Sequence, residues 1–223
     1  MSMPETGLIL GDDGRPYCYW RTEQPEYQRY HDLEWGRPLT DDRLLFEKIC
    51  LEGFQSGLAW ITILRKREHF RAAFDGFDFR RVAAYDDADV VRLLSNPGIV
   101  RNRAKILSTI NNARRACQLV DEAGSLSDWL WQFAPNVDQL SREVTLEQWR
   151  SNTTSEASHQ LSDALKQRGW SFVGPTTMYA MMQAVGMIND HLSGCVCRTE
   201  VELAKALAKS LVNETTSPAA SSS

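Results

Sequence analysis

A carboxylate, an amide, two glycines and a tryptophan lie within ten residues of one another in the segment LEGFQSGLAW, residues 51–60. Glu52 and Gln55 offer polar groups, whereas Gly53 and Gly57 are residues that a helix used only for packing does not need. Aromatic residues crowd the preceding segment and the end of this one: Tyr17, Tyr19, Trp20, Tyr27, Tyr30, Trp35 and Trp60. Flat aromatic walls around one carboxylate suit a planar heterocycle that carries positive charge.

Two cysteine–histidine pairs at opposite ends of the chain offer metal ligands. Cys18 and His31 lie near the start, and His191 and Cys195 lie four positions apart near the end. Four thiolate and imidazole groups suit a tetrahedral zinc ion with no open position, which is structural rather than catalytic. Each pair alone is a weak signal, and Cys197 is a rival ligand to Cys195. The spacing alone therefore leaves open whether these residues form a four-ligand zinc site or occur near one another by chance.

A glycine-punctuated connection follows in the segment LKQRGWSFVGPTTMYAMMQAVG. One helix is predicted to end at Gly169, a tight turn to run through Gly174, and a second helix to begin near Thr176. Glycines in such a turn let backbone N–H groups approach a phosphate, and the N-terminus of the second helix adds its dipole. An ordinary corner between two helices accounts for the pattern equally well.

Hydrophobic periodicity predicts an all-α protein with no clean strand alternation. The residues before position 15 and after position 212 are predicted to be disordered, and residues 15–212 to form one helical domain. Residues 135–155 lack a clear period and are predicted to be a long loop with a turn of helix. The predicted helices span residues 41–53, 59–74, a short stretch after 78, 86–95, 103–122, 128–133, 158–168, 176–186 and 199–212.

Composition and charge narrow the class of protein. The chain has 223 residues and a formal net charge of −4, which argues against a protein that coats nucleic acid through bulk positive charge. The net charge does not exclude a local basic face. Two basic clusters occur in the sequence: Arg65, Lys66, Arg67 and Arg71 in one, and Arg101, Arg103, Lys105, Arg114 and Arg115 in the other. Charge alone favours the interpretation that both are solvated helix faces. Five scattered cysteines, no apolar run of membrane-spanning length and no secretory signal predict a cytoplasmic protein without disulfides.

Several long blocks of the sequence, in order, resemble the DNA-3-methyladenine glycosylase I family. The blocks are CYW, EYQRYHDLEWGRP, LFEKICLEGFQSGLAWITILRKREHFRAAF, GIVRNRAKI and RGWSFVGPTTMYAMMQAVGMINDHLSGC. The similarity runs from about Pro16 to Arg198. It implies an all-α, helix-hairpin-helix glycosylase fold in which a zinc site joins the N- and C-terminal segments. It also implies a monofunctional enzyme, without a lyase step, that hydrolyses the N-glycosidic bond of 3-methyladenine in double-stranded alkylated DNA and releases the base.

The resemblance also assigns roles to residues of this sequence. Glu52 is the implied catalytic residue, because it recognises the damaged base. One structural Zn²⁺ per chain is implied on Cys18, His31, His191 and Cys195. The implied base pocket consists of Glu52 with Tyr27, Tyr30, Trp60, Trp20 and Trp35. The implied DNA contacts are Gln55, the wedge residues Gly57 and Leu58, and the turn residues Gly169, Gly174 and Thr176. We expect a monomer without membrane association.

Some positions and activities remain open at the level of sequence. Phe54 stands where the family pattern predicts a polar residue. Asp190 is either a catalytic carboxylate or a hydrogen-bond partner of a zinc-bound imidazole. The rival functions are a non-catalytic, zinc-stabilised helical module that binds DNA and a broader alkylpurine glycosylase. Glu52 argues against the latter, since its carboxylate meets the O6 acceptor of guanine unfavourably. We expect the helix to stop at Gly53 so that Glu52 faces the pocket.

Overall fold

The structure of the protein, a computed structural model, describes residues 5–136 and 143–204. The described part is mostly helical, as the sequence predicts. Its helices are α1 (Pro25–Leu33), α2 (Asp42–Gln55), α3 (Trp60–Ala73), α4 (Phe79–Ala83), α5 (Asp87–Ser95), α6 (Arg103–Ala123), α7 (Leu126–Trp131), α8 (Leu146–Ser151), α9 (Glu156–Gln167), α10 (Pro175–Ala184) and α11 (196–204, helical to the last described residue). Two single-turn 3₁₀ helices lie at Tyr19–Arg21 and Asp75–Phe77.

Helix α2 is the central element of the main core. The Asp41 side chain caps its N-terminus by accepting a hydrogen bond from the backbone N–H of Leu44 at 2.8 Å. All ten residues from Leu45 to Phe54 are buried, and the helix packs against α3, α6, α7 and α10. Each large apolar side chain buried in this way stabilises the fold by about 1.5–3 kcal/mol. The polar residues within this buried stretch therefore need a specific reason to be there.

A short antiparallel hairpin precedes the helices. Strands β1 (Leu8–Leu10) and β2 (Pro16–Cys18) pair with Ile9 opposite Tyr17. The prediction that residues 1–14 are disordered is therefore wrong for the paired strand, and three-residue strands are too short to show alternation in the sequence. The hairpin matters because β2 ends at Cys18, which it carries into a buried cluster with the C-terminal segment.

Helix α1 is absent from the predicted helices, and the start of α11 differs from the prediction. The buried side chains of α1 are Tyr30 and His31, which are neighbours in sequence, so the helix shows no apolar stripe. Helix α11 is already formed at residue 196, whereas the sequence predicted that it begins at residue 199. The predicted continuation to residue 212 and the predicted tail lie outside the described residues. Helix α8 lies within the segment that was predicted to be a loop with a turn of helix.

The connection between α9 and α10 has the predicted position. Helix α9 ends at Gln167 and α10 begins at Pro175, so the turn comprises residues 168–174. Gly169 has a φ of +80°, and Phe172 has a φ of +56°, a left-handed conformation that is uncommon for a large side chain. The turn is packed against α2 and α6, as described below.

None of the helices in the described ranges is both long enough and apolar enough to span a membrane.

Gly186 permits the closest backbone approach in the fold, and its replacement provides a test of the packing around α10. A Cβ at this position meets the backbone of Arg37 and Pro38 at 2.5–2.7 Å, and Gly186 has a φ of +80°. We expect Gly186→Ala to destabilise the protein by about 3 kcal/mol or more, because no side-chain rotation relieves a contact with backbone atoms. Chemical denaturation followed by circular dichroism measures this change.

Gly124→Ala is the matched control. Gly124 has a φ of +85°, but a Cβ there meets no atom within 4 Å. This variant should therefore lose only about 1–2 kcal/mol, the ordinary cost of a left-handed alanine. Equal losses in the two variants would contradict the packing described for Gly186.

Candidate active site and metal cluster

A cavity of about 440 Å³ opens between the first helices and α10. It lies beside a small hydrophobic cluster in which Tyr30 and Trp35 pack with Trp20 and Trp60. All six residues that the sequence assigned to the base pocket line it. The complete lining is Tyr19, Trp20, Thr22, Tyr27, Tyr30, Trp35, Glu52, Gln55, Trp60, Trp149, Ala180 and Gln183.

The aromatic walls are positioned by several different elements. Tyr30 and Trp60, from α1 and the first position of α3, have ring centroids 5.4 Å apart in a tilted arrangement. Trp20, from a 3₁₀ turn, packs edge-on against Trp35 at 4.9 Å and against Tyr27 at 6.2 Å. These ring–ring contacts position the walls of the cavity relative to one another.

Glu52 brings a carboxyl group into this apolar environment. Its side chain is only 4 % exposed, and no donor among the described residues forms a hydrogen bond to it. Burial raises the pKa of Glu52 to about 8, while the positive charge of Lys48 acts in the opposite direction. At neutral pH the pocket therefore holds a largely protonated carboxyl, whereas the sequence suggested a charged carboxylate.

Lys48 is a buried cation one helical turn before Glu52. It is 8 % exposed, and its Nζ lies 3.6 Å from Oε2 of Glu34 and 4.9 Å from the centre of the Tyr30 ring. Glu34 also accepts a hydrogen bond from Nη2 of Arg67 at 2.9 Å. Burial lowers the pKa of Lys48. This charged group behind the wall formed by Tyr30 has no counterpart among the residues predicted from the sequence.

Asp190 holds a pocket residue in place. Its Oδ2 accepts hydrogen bonds from the hydroxyl of Tyr179 at 2.7 Å and from Nε2 of Gln183 at 2.6 Å. Gln183 lines the cavity, whereas Asp190 does not. Of the two roles that the sequence left open for Asp190, the hydrogen bonds favour neither: Asp190 does not line the cavity, and the His191 ring contacts His31 and Trp35 instead. The carboxylate that contacts an imidazole of the cluster belongs to Asp32, whose Oδ1 lies 2.8 Å from Nδ1 of His31.

The segment after Glu52 differs in detail from the prediction. Helix α2 does not stop at Gly53 but continues to Gln55, with Ser56 as its C-terminal cap. A Cβ on Gly53 meets the Cβ of Phe172 at 3.3 Å, so this glycine allows the α9–α10 turn to approach the helix. Phe54 is 1 % exposed and packs on Phe70 at 4.6 Å, so it faces the core and not the pocket.

The loop between α2 and α3, residues 56–59, projects from the pocket rim. Gly57 has a φ of +78°, a Cβ at this position would meet no atom within 4 Å, and Leu58 is 40 % exposed. Gln55 lines the cavity. Of the predicted DNA-contacting residues, Gln55, Gly57 and Leu58 therefore lie together, while Gly169, Gly174 and Thr176 lie in or beside the α9–α10 turn.

The four predicted metal ligands form one buried cluster. Cys18, His31, His191 and Cys195 are at most 2 % exposed, and their potential ligand atoms all lie within 4.8 Å of one another. Nδ1 of His191 lies 3.2 Å from Nε2 of His31, 3.7 Å from Sγ of Cys195 and 3.9 Å from Sγ of Cys18. Sγ of Cys195 lies 3.7 Å from Nε2 of His31. The cluster can therefore hold a metal ion.

Neighbouring groups orient both imidazoles toward the centre of this cluster. Nδ1 of His31 lies 2.8 Å from Oδ1 of Asp32, and Nε2 of His191 lies 3.2 Å from the carbonyl oxygen of Trp35. Each acceptor favours a proton on the ring nitrogen that faces it, Nδ1 of His31 and Nε2 of His191. The other ring nitrogen, which faces the cluster, is then free to act as a ligand. Burial lowers the pKa of His191 and so favours the neutral ring that metal binding requires.

Cys197 lies outside this four-residue set. Its Sγ lies 3.9 Å from Oδ1 of Asp32, and the two residues form a second group with His31. The rivalry between Cys195 and Cys197 that the sequence left open is therefore resolved in favour of Cys195 as the member of the buried cluster.

Comparisons with known proteins identify the family to which the chain belongs. The sequence model of a family described as methyladenine glycosylase matches residues 20–199. The chain is 47 % identical over 180 residues to DNA-3-methyladenine glycosylase 1 of Escherichia coli, covering 81 % of this chain and 95 % of that protein. It is 42 % identical to DNA-3-methyladenine glycosylase of Haemophilus influenzae, covering 82 % of this chain and 97 % of that protein.

Solved structures give the same result. A structure of 3-methyladenine DNA glycosylase I from Staphylococcus aureus has a TM-score of 0.75 and 32 % identity, covering 89 % of this chain and 98 % of that one. A structure of a variant of 3-methyladenine DNA glycosylase I in complex with 3-methyladenine has a TM-score of 0.76 and 33 % identity. The match covers 82 % of this chain and 97 % of that one. The chain belongs to the methyladenine glycosylase family.

Membership of the methyladenine glycosylase family confirms the resemblance read from the sequence and the prediction of an enzyme. The methyladenine glycosylase fold also accounts for the mostly helical architecture. The roles of individual residues in this member of the family stay predictions, and each needs its own test.

The protonation of Glu52 gives the first such test within this methyladenine glycosylase. The pKa of Glu52 rises from an ordinary 4.5 to about 8 on folding, so between these values the folded protein holds a proton that the unfolded chain releases. The free energy of unfolding therefore falls as pH rises through this window. We expect Glu52→Gln to match wild-type stability near pH 5 and to exceed it at pH 9 by up to about 4 kcal/mol.

Urea denaturation at both pH values measures this difference, and Glu23→Gln, at an exposed position, is the control. A Glu52→Gln variant whose stability relative to wild type is the same at pH 5 and pH 9 would contradict the buried proton.

Proposed function

We propose that this protein hydrolyses the N-glycosidic bond of 3-methyladenine in double-stranded alkylated DNA and releases the base without a lyase step. The observation that carries the proposal is the Glu52 carboxyl, which is buried among aromatic rings with no protein donor to satisfy it. A buried acceptor without a partner is costly, and a ligand with an amino group and a positive charge relieves that cost.

The positive charge of the substrate explains why base release needs no strong general acid besides Glu52. The methylated adenine of the nucleotide is cationic, and its glycosidic bond is already weakened, so a strong general acid is dispensable. A cationic ring in the pocket favours the ionised form of Glu52 and so lowers its pKa from about 8. The carboxylate then accepts a hydrogen bond from the amino edge of the base. Neutral adenine provides no such charge, so the carboxyl stays protonated and the interaction is weaker.

In our proposal, the loop 56–59 and the α9–α10 turn act on the duplex. The target base must leave the stack to reach a pocket of this kind. In our proposal Leu58, which is 40 % exposed, fills the gap that the base leaves, and Gly57 allows the loop to approach the backbone. The turn from Gly169 to Thr176 then acts as the hairpin of a helix-hairpin-helix unit. The N–H groups of Gly169, Trp170 and Ser171 already donate hydrogen bonds within the protein. In our proposal the N–H groups from Phe172 to Gly174 therefore bind phosphate.

A metal ion fits the buried cluster. In tetrahedral zinc coordination, two nitrogen ligands lie about 3.4 Å apart and a nitrogen and a sulfur about 3.6 Å apart. The distance of 3.2 Å between the two imidazole nitrogens and the distances of 3.7 and 3.9 Å to sulfur are compatible with these values. We therefore propose one structural Zn²⁺ held by Cys18, His31, His191 and Cys195, which ties the N-terminal hairpin to the C-terminal segment.

Other parts of the sequence interpretation stay predictions. They are the single helical domain over residues 15–212, the monomeric state and the cytoplasmic location.

Release of the base from alkylated DNA tests the proposed activity directly. We expect the wild type to release 3-methyladenine from methylated duplex DNA, detected by chromatography of the free bases. Glu52→Gln should release it at least about tenfold more slowly, because the neutral amide cannot complement the positive ring. The activity of Glu52→Gln should be compared at a pH where its fold is intact.

Glu47→Gln is the matched control, since Glu47 is a buried carboxylate of α2 that pairs with Arg71 outside the pocket. It should release the base at the wild-type rate. A wild type that binds DNA but releases nothing would favour the non-catalytic module. Release of 7-methylguanine at a similar rate would favour the broader glycosylase.

Removal of a cluster ligand tests the zinc proposal. We expect Cys195→Ser to purify without the one zinc per chain that the wild type carries and to melt at a lower temperature, because metal affinity contributes directly to folding. Elemental analysis and thermal denaturation measure both effects. Cys50→Ser replaces a buried cysteine outside the cluster and should retain zinc. A metal-free wild type as stable as the zinc-supplied protein would refute the proposal.

A further inference from the structure

Lys105 is not part of a solvated basic face, contrary to the sequence interpretation. Its side chain is only 9 % exposed, and none of the ion pairs among the described residues includes it. The ammonium group instead donates hydrogen bonds to the carbonyl oxygens of Phe54 at 2.8 Å and Ser56 at 2.6 Å. These carbonyls belong to the C-terminal end of α2, where no further helical N–H is available to them. Lys105 therefore fixes the direction in which the chain leaves α2 and enters the loop 56–59.

The same helix holds the α9–α10 turn. Asn112 clamps the backbone of Ser171 from both sides: its Nδ2 donates to the carbonyl oxygen at 2.9 Å, and its Oδ1 accepts from the N–H at 2.9 Å. The hydroxyl of Ser108 donates to that carbonyl oxygen at 3.1 Å. Nδ2 of Asn111 donates to the carbonyl oxygen of Gly169 at 2.8 Å. The turn is thus bound to α6 at two of its residues.

Lys105, Ser108 and Asn112 form one polar face of α6. Their spacings of three and four residues place them on the same side of a helix, over about 10 Å of its length. Where the two fixed segments meet, Gly53 of α2 and Phe172 of the turn approach so closely that a Cβ on Gly53 lies 3.3 Å from the Cβ of Phe172. One rigid helix thus sets the position of both segments relative to each other.

We propose that Lys105 and Asn112 are positioning residues, which hold the loop 56–59 and the α9–α10 turn at the separation needed to engage one damaged duplex. The proposal rests on the proposed function, in which these two segments contact DNA. It assigns to α6 a role in DNA engagement and none in base recognition, because no residue of α6 lines the base pocket.

Preorganisation is the physical basis of this role. A loop that is ordered only on binding must lose conformational freedom at that moment, and this cost reduces affinity. Gly57, which has a positive φ and no side chain, gives the loop high intrinsic conformational freedom. The hydrogen bonds from Lys105 restrict that freedom before DNA arrives. Their loss should weaken the engagement of the duplex while the pocket itself remains intact.

Lys105→Met tests the proposal with three measurements. We expect single-turnover release of 3-methyladenine from methylated duplex DNA to fall at least about tenfold. Binding of the free base 3-methyladenine, followed by tryptophan fluorescence or calorimetry, should stay within about twofold of wild type. Amide hydrogen exchange of residues 56–60 should become at least about tenfold faster, while exchange in α6 is unchanged. If Lys105→Met does not fold, Lys105→Gln, which retains a shorter donor, takes its place in all three measurements.

Arg114→Met is the matched control on the same helix. Arg114 is a cation that also donates to two backbone carbonyls, those of Ala83 at 3.0 Å and Tyr85 at 3.1 Å, but it fixes the connection between α4 and α5. It should leave base release and exchange in residues 56–60 unchanged. Asn112→Ala should lower base release like Lys105→Met, but with faster exchange in residues 169–174 instead.

The outcomes separate the positioning role from the activity itself. A parallel loss of base release and free-base binding in Lys105→Met, or behaviour equal to Arg114→Met, would overturn the positioning role. A wild type that releases no base would refute the proposed function, and the exchange measurement would still report whether Lys105 restrains the loop.

Discussion

The burial of the Glu52 carboxyl without a hydrogen-bond donor is the constraint on which the rest of the structure depends. A carboxyl in such a place is kept protonated by desolvation, and its pKa of about 8 expresses the cost of ionising it there. The cost is tolerated because Glu52 lies in the most deeply buried stretch of α2, where the surrounding apolar contacts stabilise the fold. A cationic ligand relieves this cost directly.

The sequence predicted the chemistry of this site better than its geometry. The family resemblance, more than residue types and spacing, assigned Glu52, the aromatic residues and the four cysteines and histidines to their sites. The structure brings the aromatic residues together around Glu52 and the four potential ligands into one cluster. The conformation at Gly53 was predicted wrongly, since a glycine stops a helix only where no packing demands its continuation. Here the continuation is fixed by Phe172, a residue more than a hundred positions later. Helix α1 was missed for a related reason: it is stabilised by contacts of Tyr30 and His31 with distant residues and not by a stripe of its own.

The burial of Lys48 and Lys105 was not predicted from the sequence. Lys48 and Lys105 occur among other charged residues, and nothing in their spacing distinguishes them from solvated lysines. Their burial follows from tertiary contacts: Lys48 lies against Glu34 and the face of Tyr30, and Lys105 lies against the carbonyl groups at the end of α2. Only a three-dimensional arrangement identifies such partners.

The four residues from Glu52 to Gln55 explain how one helical turn serves several purposes. Successive residues of a helix point in directions about 100° apart, so four neighbours cover the whole circumference. Glu52 and Gln55, three positions apart, share the face that lines the pocket. Between them, Gly53 faces the α9–α10 turn, and Phe54 faces the rings of α3. A polar residue at position 54 would therefore lie in the core and could not reach a base in the pocket. The helix must continue through Gly53 for these four side chains to face different neighbours. A helix that ended at Gly53 would not bring Gln55 to the pocket, and it would not present to Lys105 the carbonyl oxygens of Phe54 and Ser56.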